Sequence, residues 1–222
     1  WQLLRCGVGV DLIEARPAAA SPAHGSLLLG ELVCSNSLRS DAEETAPGLL
    51  KAELRRAGSL VLAAADATRV PAGSALAVDR YAFAWQITTT LLGHPGLRLY
   101  RHEVERLPEG PTILASGPLT RGPLAAALGP LLGGGLYFYD AIAPIIDGAA
   151  IDESVAFRRG RRDPEGRDYV NCPLDRPQYD RLVAGLRAAS RVPPHPFEEP
   201  RYFEGCLPVE VMAARGDDVL AH

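Results

Sequence analysis

Four cysteines, one acid at the end of an apolar run and a group of arginines are the residues of this 222-residue chain best equipped for chemistry. A cysteine thiolate is a nucleophile and a metal ligand, but Cys6, Cys34, Cys172 and Cys206 form no CxxC pair and lie in no His/Cys cluster with metal-ligand spacing, which argues against zinc. Their scatter is also unlike the disulfide framework of a small secreted domain, so reduced thiols in a cytosolic protein are expected. On spacing alone each is more often a small buried hydrophobe than a nucleophile. Glu14 closes the β-type run Val8 to Glu14. In a dinucleotide-binding βαβ unit an acid at that place hydrogen-bonds the adenosine ribose, although many surface strands also end in glutamate. Arg158, Arg159, Arg161 and Arg162 fall within five residues of a chain whose formal net charge is −4. Guanidinium groups so placed suit phosphates, and a solvated loop is the plain alternative. The overall charge excludes a uniformly basic nucleic-acid binder.

These residues need elements to hold them. Trp1 to Cys6 reads as a helix tail stopped by Gly7, and the strand before Glu14 turns at Arg16-Pro17. Helix tail, strand and terminal acid in that order are expected if a dinucleotide-binding unit is cut inside its first helix, without its first strand and G-x-G-x-x-G loop. Residues 48–66 read as one helix with Leu49, Leu50, Leu54 and Ala57 on its apolar face and Lys51, the only lysine, among the polar residues opposite. Asp79 caps a predicted helix to about Leu92. Leu97 to Val104, Thr112 to Ala115 and Leu136 to Tyr139 read as strands, Thr120 to Leu132 and Pro177 to Ser190 as helices. This alternation predicts an α/β layered fold. From about Asp163 the sequence becomes polar and rich in proline, and a second domain is expected there. No apolar run is long enough to span a bilayer.

Four motifs follow one another: Glu14-Ala15-Arg16-Pro17; Pro22-Ala23-His24-Gly25 with Glu31-Leu32-Val33-Cys34-Ser35-Asn36-Ser37-Leu38; Ala115-Ser116-Gly117-Pro118-Leu119-Thr120; and Tyr202-Phe203-Glu204-Gly205-Cys206-Leu207-Pro208-Val209-Glu210. Together they resemble TrmFO, the folate- and FAD-dependent tRNA (uracil-5-)-methyltransferase family, over nearly the whole chain. Ser116 stands where that family more usually has threonine. The resemblance implies an α/β fold: a glutathione-reductase-like, Rossmann-type FAD-binding domain over residues 1–165, truncated at its N-terminus, then the start of an α+β insertion domain over 166–222. It also implies that the initial Gly-rich unit, the rest of the insertion and the closing FAD segment are lacking, and that the chain alone holds little FAD.

The same resemblance implies a reaction. Carbon 5 of uracil is a poor nucleophile until a thiolate adds to carbon 6, which is why covalent cysteine catalysis suits methylation there. The family draws its carbon from methylenetetrahydrofolate and its electrons from FAD reduced by NAD(P)H. Cys206 matches the nucleophile, and Cys34 a partner in proton transfer or in protecting the flavin-bound intermediate. Glu14 matches the ribose ligand, with Arg16 a cofactor contact. His24 could stack on a flat ring or move a proton, and Ser35, Asn36 and Ser37 could bond flavin or pyrophosphate or serve only their own loop. Val104 could offer backbone to adenine, and Ala115, Ser116, Gly117 and Pro118 form a turn that approaches the dinucleotide, or an ordinary β-turn. Arg158, Arg159, Arg161 and Arg162 would meet tRNA phosphates. The expected location is the cytoplasm, with no metal and no membrane. An MnmG-like wobble-uridine enzyme and a non-catalytic tRNA-binding fragment are the alternatives; the paired cysteine motifs fit TrmFO better.

Overall fold

The computed structural model describes residues 1–20, 24–117, 120, 122–132, 147–160, 165–190 and 207–221. They fall into two compact units, the first taking in Trp1–Leu107 and Arg158–Val170, the second the described residues between Pro108 and Phe157 and from Asn171 onward.

The first unit opens with a single helical turn, α1 (Gln2–Arg5), which ends where Gly7 takes φ +76. Strand β1 (Val10–Glu14) follows, and its alternating burial matches a sheet with one covered face. It runs parallel to β5 (Leu97–Arg101) in a register that sets Glu14 against Arg101. Between them lie β2 (Ser37–Ser40), α2 (Ala46–Arg56), α3 (Leu60–Ala67), β3 (Arg69–Val70), β4 (Ala75–Val78) and α4 (Arg80–Leu92). The short strands form an antiparallel sheet in the order β2-β4-β3. Leu62, Ala65, Leu76, Val78, Phe83 and Ile87 make the core, with Leu12 and Leu99 packed on it from the parallel pair. A parallel pair joined through helices is an α/β arrangement of the Rossmann type, as the alternation of elements predicts.

Helix α4 matches its sequence boundaries because Asp79 caps it, accepting from the Ala82 amide at 2.9 Å. The helix expected over 48–66 is instead two. Gly58 adopts φ +73, and Ser59 caps the second helix by accepting from the Leu62 amide. Its first half is also turned over: Leu49, Leu50 and Leu54 face solvent, and Lys51 is buried, its Nζ donating to the carbonyls of Ser40 (2.7 Å) and Pro47 (3.1 Å). The reason is close backbone approach at Gly48, where a Cβ would stand 1.8 Å from the Ala42 carbonyl oxygen. Only a glycine face can lie there, and the leucines point away.

The expected strand over 97–104 stops at Arg101, and residues 112–115 form no strand. In the second unit the helix expected over 120–132 is α5 (Gly122–Leu128) followed by a 3-10 turn to Leu132. Strand β6 (Phe157–Arg159), which lies mostly in the first unit, pairs with β7 (Tyr169–Asn171). Helix α6 (Arg176–Ala188) begins in a capping box between Asp175 and Gln178 and packs on α7 (Val209–Arg215) through Val183 and Ala213. The strand expected over 136–139 lies outside the described residues. No helix among the described residues is long and apolar enough to cross a membrane.

Candidate functional site

Glu14 reaches the carboxyl end of β1, the end of a parallel strand at which open α/β sheets place their ligands. Arg16 lies two residues on, past the strand, and its side chain folds back into the protein with 5% exposure. All five of its N–H groups are engaged. Nε donates to Glu14 Oε1 and Nη2 to Glu14 Oε2, each at 3.0 Å; Nη2 also donates to the Leu28 carbonyl, and Nη1 donates to Ser26 O and to Glu31 Oε2 at 2.6 Å. The guanidinium therefore has no donor left for a ligand. Arg101, facing Glu14 across the sheet, donates to the carbonyls of Arg16 and Leu27. The Arg16 backbone N–H adds a further bond to Glu14 Oε1.

Burial pushes the Glu14 carboxyl upward, but the Arg16 hydrogen bonds and the charges of Arg16 and Arg101 outweigh it, leaving Glu14 below the usual carboxylate range. Glu31 goes the same way: burial raises it, and bonds from the Gly25 amide, from Ser26 and the Arg16 charge bring it down on balance. Arg16, bonded to Glu14 and beside both acids, is held charged. Glu31 opens a family-like motif, but nothing in the sequence pairs it with Arg16. Its partner stands fifteen residues upstream, and no helical or strand periodicity relates the two.

The segment from Cys34 to Ser37 is fixed by the β4–α4 corner. Arg80 donates to the Cys34 carbonyl (2.6 Å), the Asn36 amide to the Val78 carbonyl (2.9 Å), and Val78 N–H to the Asn36 carbonyl (3.0 Å). Ser35 and Ser37 accept from backbone amides two residues on, so these side chains serve the loop itself, while the Cys34 side chain is at the surface. A sequence reading misses Arg80, which looks like the first residue of a helix and no more. His24 is half-buried beside Gly25, whose N–H donates to Glu31. Glu31 thus joins the His24-Gly25 motif to the Glu14-Arg16 motif and begins the stretch that leads to Cys34.

Val104 lies three residues beyond the end of β5 and is half-buried. In the second unit Ala115, Ser116 and Gly117 are exposed, and Gly117 takes φ +78. The buried Thr120 hydroxyl donates to the Gly117 carbonyl (2.8 Å) and shares a hydrogen bond with the Ser116 hydroxyl (2.6 Å), closing the turn. Arg158 and Arg159 are exposed on β6. Pro118, Arg161, Arg162 and Cys206 lie outside the described residues. Among the described residues no group of three or more His, Cys, Asp or Glu side chains is placed to hold a metal.

A family profile described as "Glucose inhibited division protein A" matches residues 1–222. The chain is 58% identical over its whole length to an Anaeromyxobacter dehalogenans protein named methylenetetrahydrofolate–tRNA-(uracil-5-)-methyltransferase TrmFO, of which it covers 50%. Relatives of the same name in Myxococcus xanthus (57% identical, 49% of that protein covered) and Geobacter sulfurreducens (53% identical, 51% covered) match 100% and 99% of the chain. The chain spans about half the length of these curated relatives.

Proposed function

Because this chain belongs to the Glucose inhibited division protein A family, we propose that it forms the FAD-binding front of an enzyme that methylates a T-loop uridine of tRNA at carbon 5. The observation that carries this reading is the Arg16-centred network, which gathers the Glu14, His24-Gly25 and Glu31-to-Cys34 motifs at the carboxyl end of β1. The relatives' printed name supplies the reaction. Residues 1–165 are taken as the FAD-binding part and 166–222 as the start of an insertion domain.

Glu14 fits a ribose. It is charged, held by its neighbours, and with three donors on its two oxygens it keeps acceptor capacity on Oε2. Arg16, its own donors spent, holds Glu14 rather than touching the cofactor through its side chain. Bound FAD, reduced by NAD(P)H, would supply electrons, and methylenetetrahydrofolate the carbon. The Cys34 loop, pinned by Arg80 and Asn36, presents its thiol for proton transfer. His24 serves as a flat-ring or proton-transfer contact, Ser35, Asn36 and Ser37 line the same loop, and Val104 and the Ala115-Ser116-Gly117-Pro118 turn offer backbone to the dinucleotide. Cys206 adds as thiolate to carbon 6 of the uracil, the displaced π electrons enrich carbon 5, and after methylation the carbon 5 proton leaves and the thiolate is expelled. Arg158, Arg159, Arg161 and Arg162 hold RNA phosphates, and cytoplasmic tRNA is the partner.

The test is a full-length chimera in which residues 1–222 replace the matching half of the Myxococcus xanthus relative. Incubated with unmodified tRNA, NADPH and methylenetetrahydrofolate, it should yield 5-methyluridine by nucleoside mass spectrometry. Absence of product from a folded chimera, while the parent relative is active, would overturn the reading.

A further inference from the structure

Glu31 has more partners than its place in a loop would require. Its Oε1 accepts from Gly25 N–H at 2.8 Å, and its Oε2 accepts from Ser26 N–H (3.3 Å), the Ser26 hydroxyl (3.0 Å) and Arg16 Nη1 (2.6 Å). Its side chain is 16% exposed, against 21% for Glu14 and 5% for the arginine between them. Each acid keeps one oxygen with a single donor, Oε2 of Glu14 and Oε1 of Glu31. They differ in whom they hold: every donor on Glu14 comes from Arg16, whereas Glu31 joins Arg16 to the Gly25-Ser26 loop.

Resting on the FAD reading above, we propose that Glu31 is a positioning residue: through Arg16 it sets the Glu14 carboxylate for the ribose, and through Gly25 and Ser26 it ties that setting to the loop running on to Cys34. A guanidinium is a rigid planar fork, so an acid on Nη1 fixes the angle at which Nε and Nη2 meet the acid on the opposite side. With Glu31 neutral, Nη1 keeps the Ser26 carbonyl but loses its charged acceptor, the plane of Arg16 is held less firmly, and the two donors aligned on Glu14 lose their alignment. The Gly25 and Ser26 amides lose a charged acceptor at the same time. The ribose site and the loop toward Cys34 are then set together, with Glu31 as the shared fixed point.

Two measurements test this on different material. On the 222-residue chain without cofactor, amide hydrogen exchange followed by NMR should show that E31Q speeds exchange at Gly25 and Ser26 and also at the Arg16 N–H, which donates to Glu14 and touches Glu31 nowhere. Acceleration confined to Gly25 and Ser26 overturns the proposal and leaves the FAD reading intact. In the full-length chimera, FAD affinity read by fluorescence should fall about tenfold in E31Q, the usual scale for a charged hydrogen bond, and E31D, which keeps the charge, should recover most of that loss. In a cycle with E14Q the losses should not multiply: the double variant binds FAD within about twofold of E14Q alone, because Glu31 acts through Glu14. Multiplying losses would mean an independent structural role and overturn the proposal. A chimera that binds no FAD even with both glutamates present removes the FAD reading itself, a result distinct from either.

Discussion

Two charge networks in the first unit use the same residue types to opposite ends. Around Arg16, two acids and two carbonyls enclose a guanidinium that is 5% exposed. Around Asp41, Arg55 (30% exposed) and Arg69 (46% exposed) share one carboxylate, and Arg55 also grips Asp66 at 2.7 Å, joining α2 and α3 to the end of β2 at the surface. Burial raises Asp41, the bonds from Arg55 and Arg69 lower it by more, and its net direction is the same as that of Glu14 and Glu31. The difference lies in the solvent. The acids are comparably buried (Asp41 14%, Glu14 21%, Glu31 16%), but water reaches the Arg55 and Arg69 cations and not Arg16, so the first network is a clasp between elements and the second a fixed fitting at the end of β1.

The largest effect should separate them. Arg16→Met removes the cation between Glu14 and Glu31, and urea unfolding should show a loss of about 3–5 kcal/mol. Arg55→Met, after which Asp41 keeps Arg69 and the 41% exposed Asp66 has water, should cost about 1 kcal/mol by the same measurement. Equal losses would erase the distinction.

Acid should sharpen it. Glu14 and Glu31 have folded pKa values depressed below the unfolded ones, so their contribution is complete above the ordinary carboxylate value of about 4.3. It is lost as pH falls through the depressed values. Unfolding free energy measured from pH 6 down to pH 2 should therefore drop below about pH 4 in the parent, and the drop should be shallower in Arg16→Met.

The arginine cluster at 158–162 should show no such stability effect and a different phenotype. Replacing Arg158, Arg159, Arg161 and Arg162 by alanine in the full-length chimera should leave the unfolding midpoint in place. It should reduce the slope of log affinity for tRNA against log salt by up to about 3 units. An unchanged slope returns the cluster to a solvated loop. Smallest of all is Arg98→Ala, which removes a pair with Asp11 at 70% and 48% exposure and should leave the unfolding curve unmoved.

What was legible in the chain is local. The β1 run with its terminal Glu14, the Asp79 cap of α4 and the span of α6 are each set by neighbours within a few residues, and the structure keeps them. What was hidden depends on approaches across the fold. Nothing near Leu49 or Lys51 reveals that Gly48 lies against the Ala42 carbonyl and inverts the helix, so the hydrophobic pattern points the wrong way. The break at Gly58 was visible as a glycine but outweighed by the helical formers on both sides. In the candidate site the motifs were readable and their connection was not. Arg16 looks like a ligand beside Glu14 until its five donors are counted, and Glu31 and Arg80 act on partners far away in sequence.

The central claim is that this chain carries the thiol that attacks uracil. The most direct measurement uses the full-length chimera and a tRNA whose target uracil carries fluorine at carbon 5, which blocks the proton loss that lets the thiolate leave. A covalent protein–RNA adduct should accumulate, map to Cys206 by peptide mass spectrometry, and vanish in Cys206→Ala while the flavin spectrum is kept. An adduct that maps to Cys34 and survives the loss of Cys206 would contradict the account.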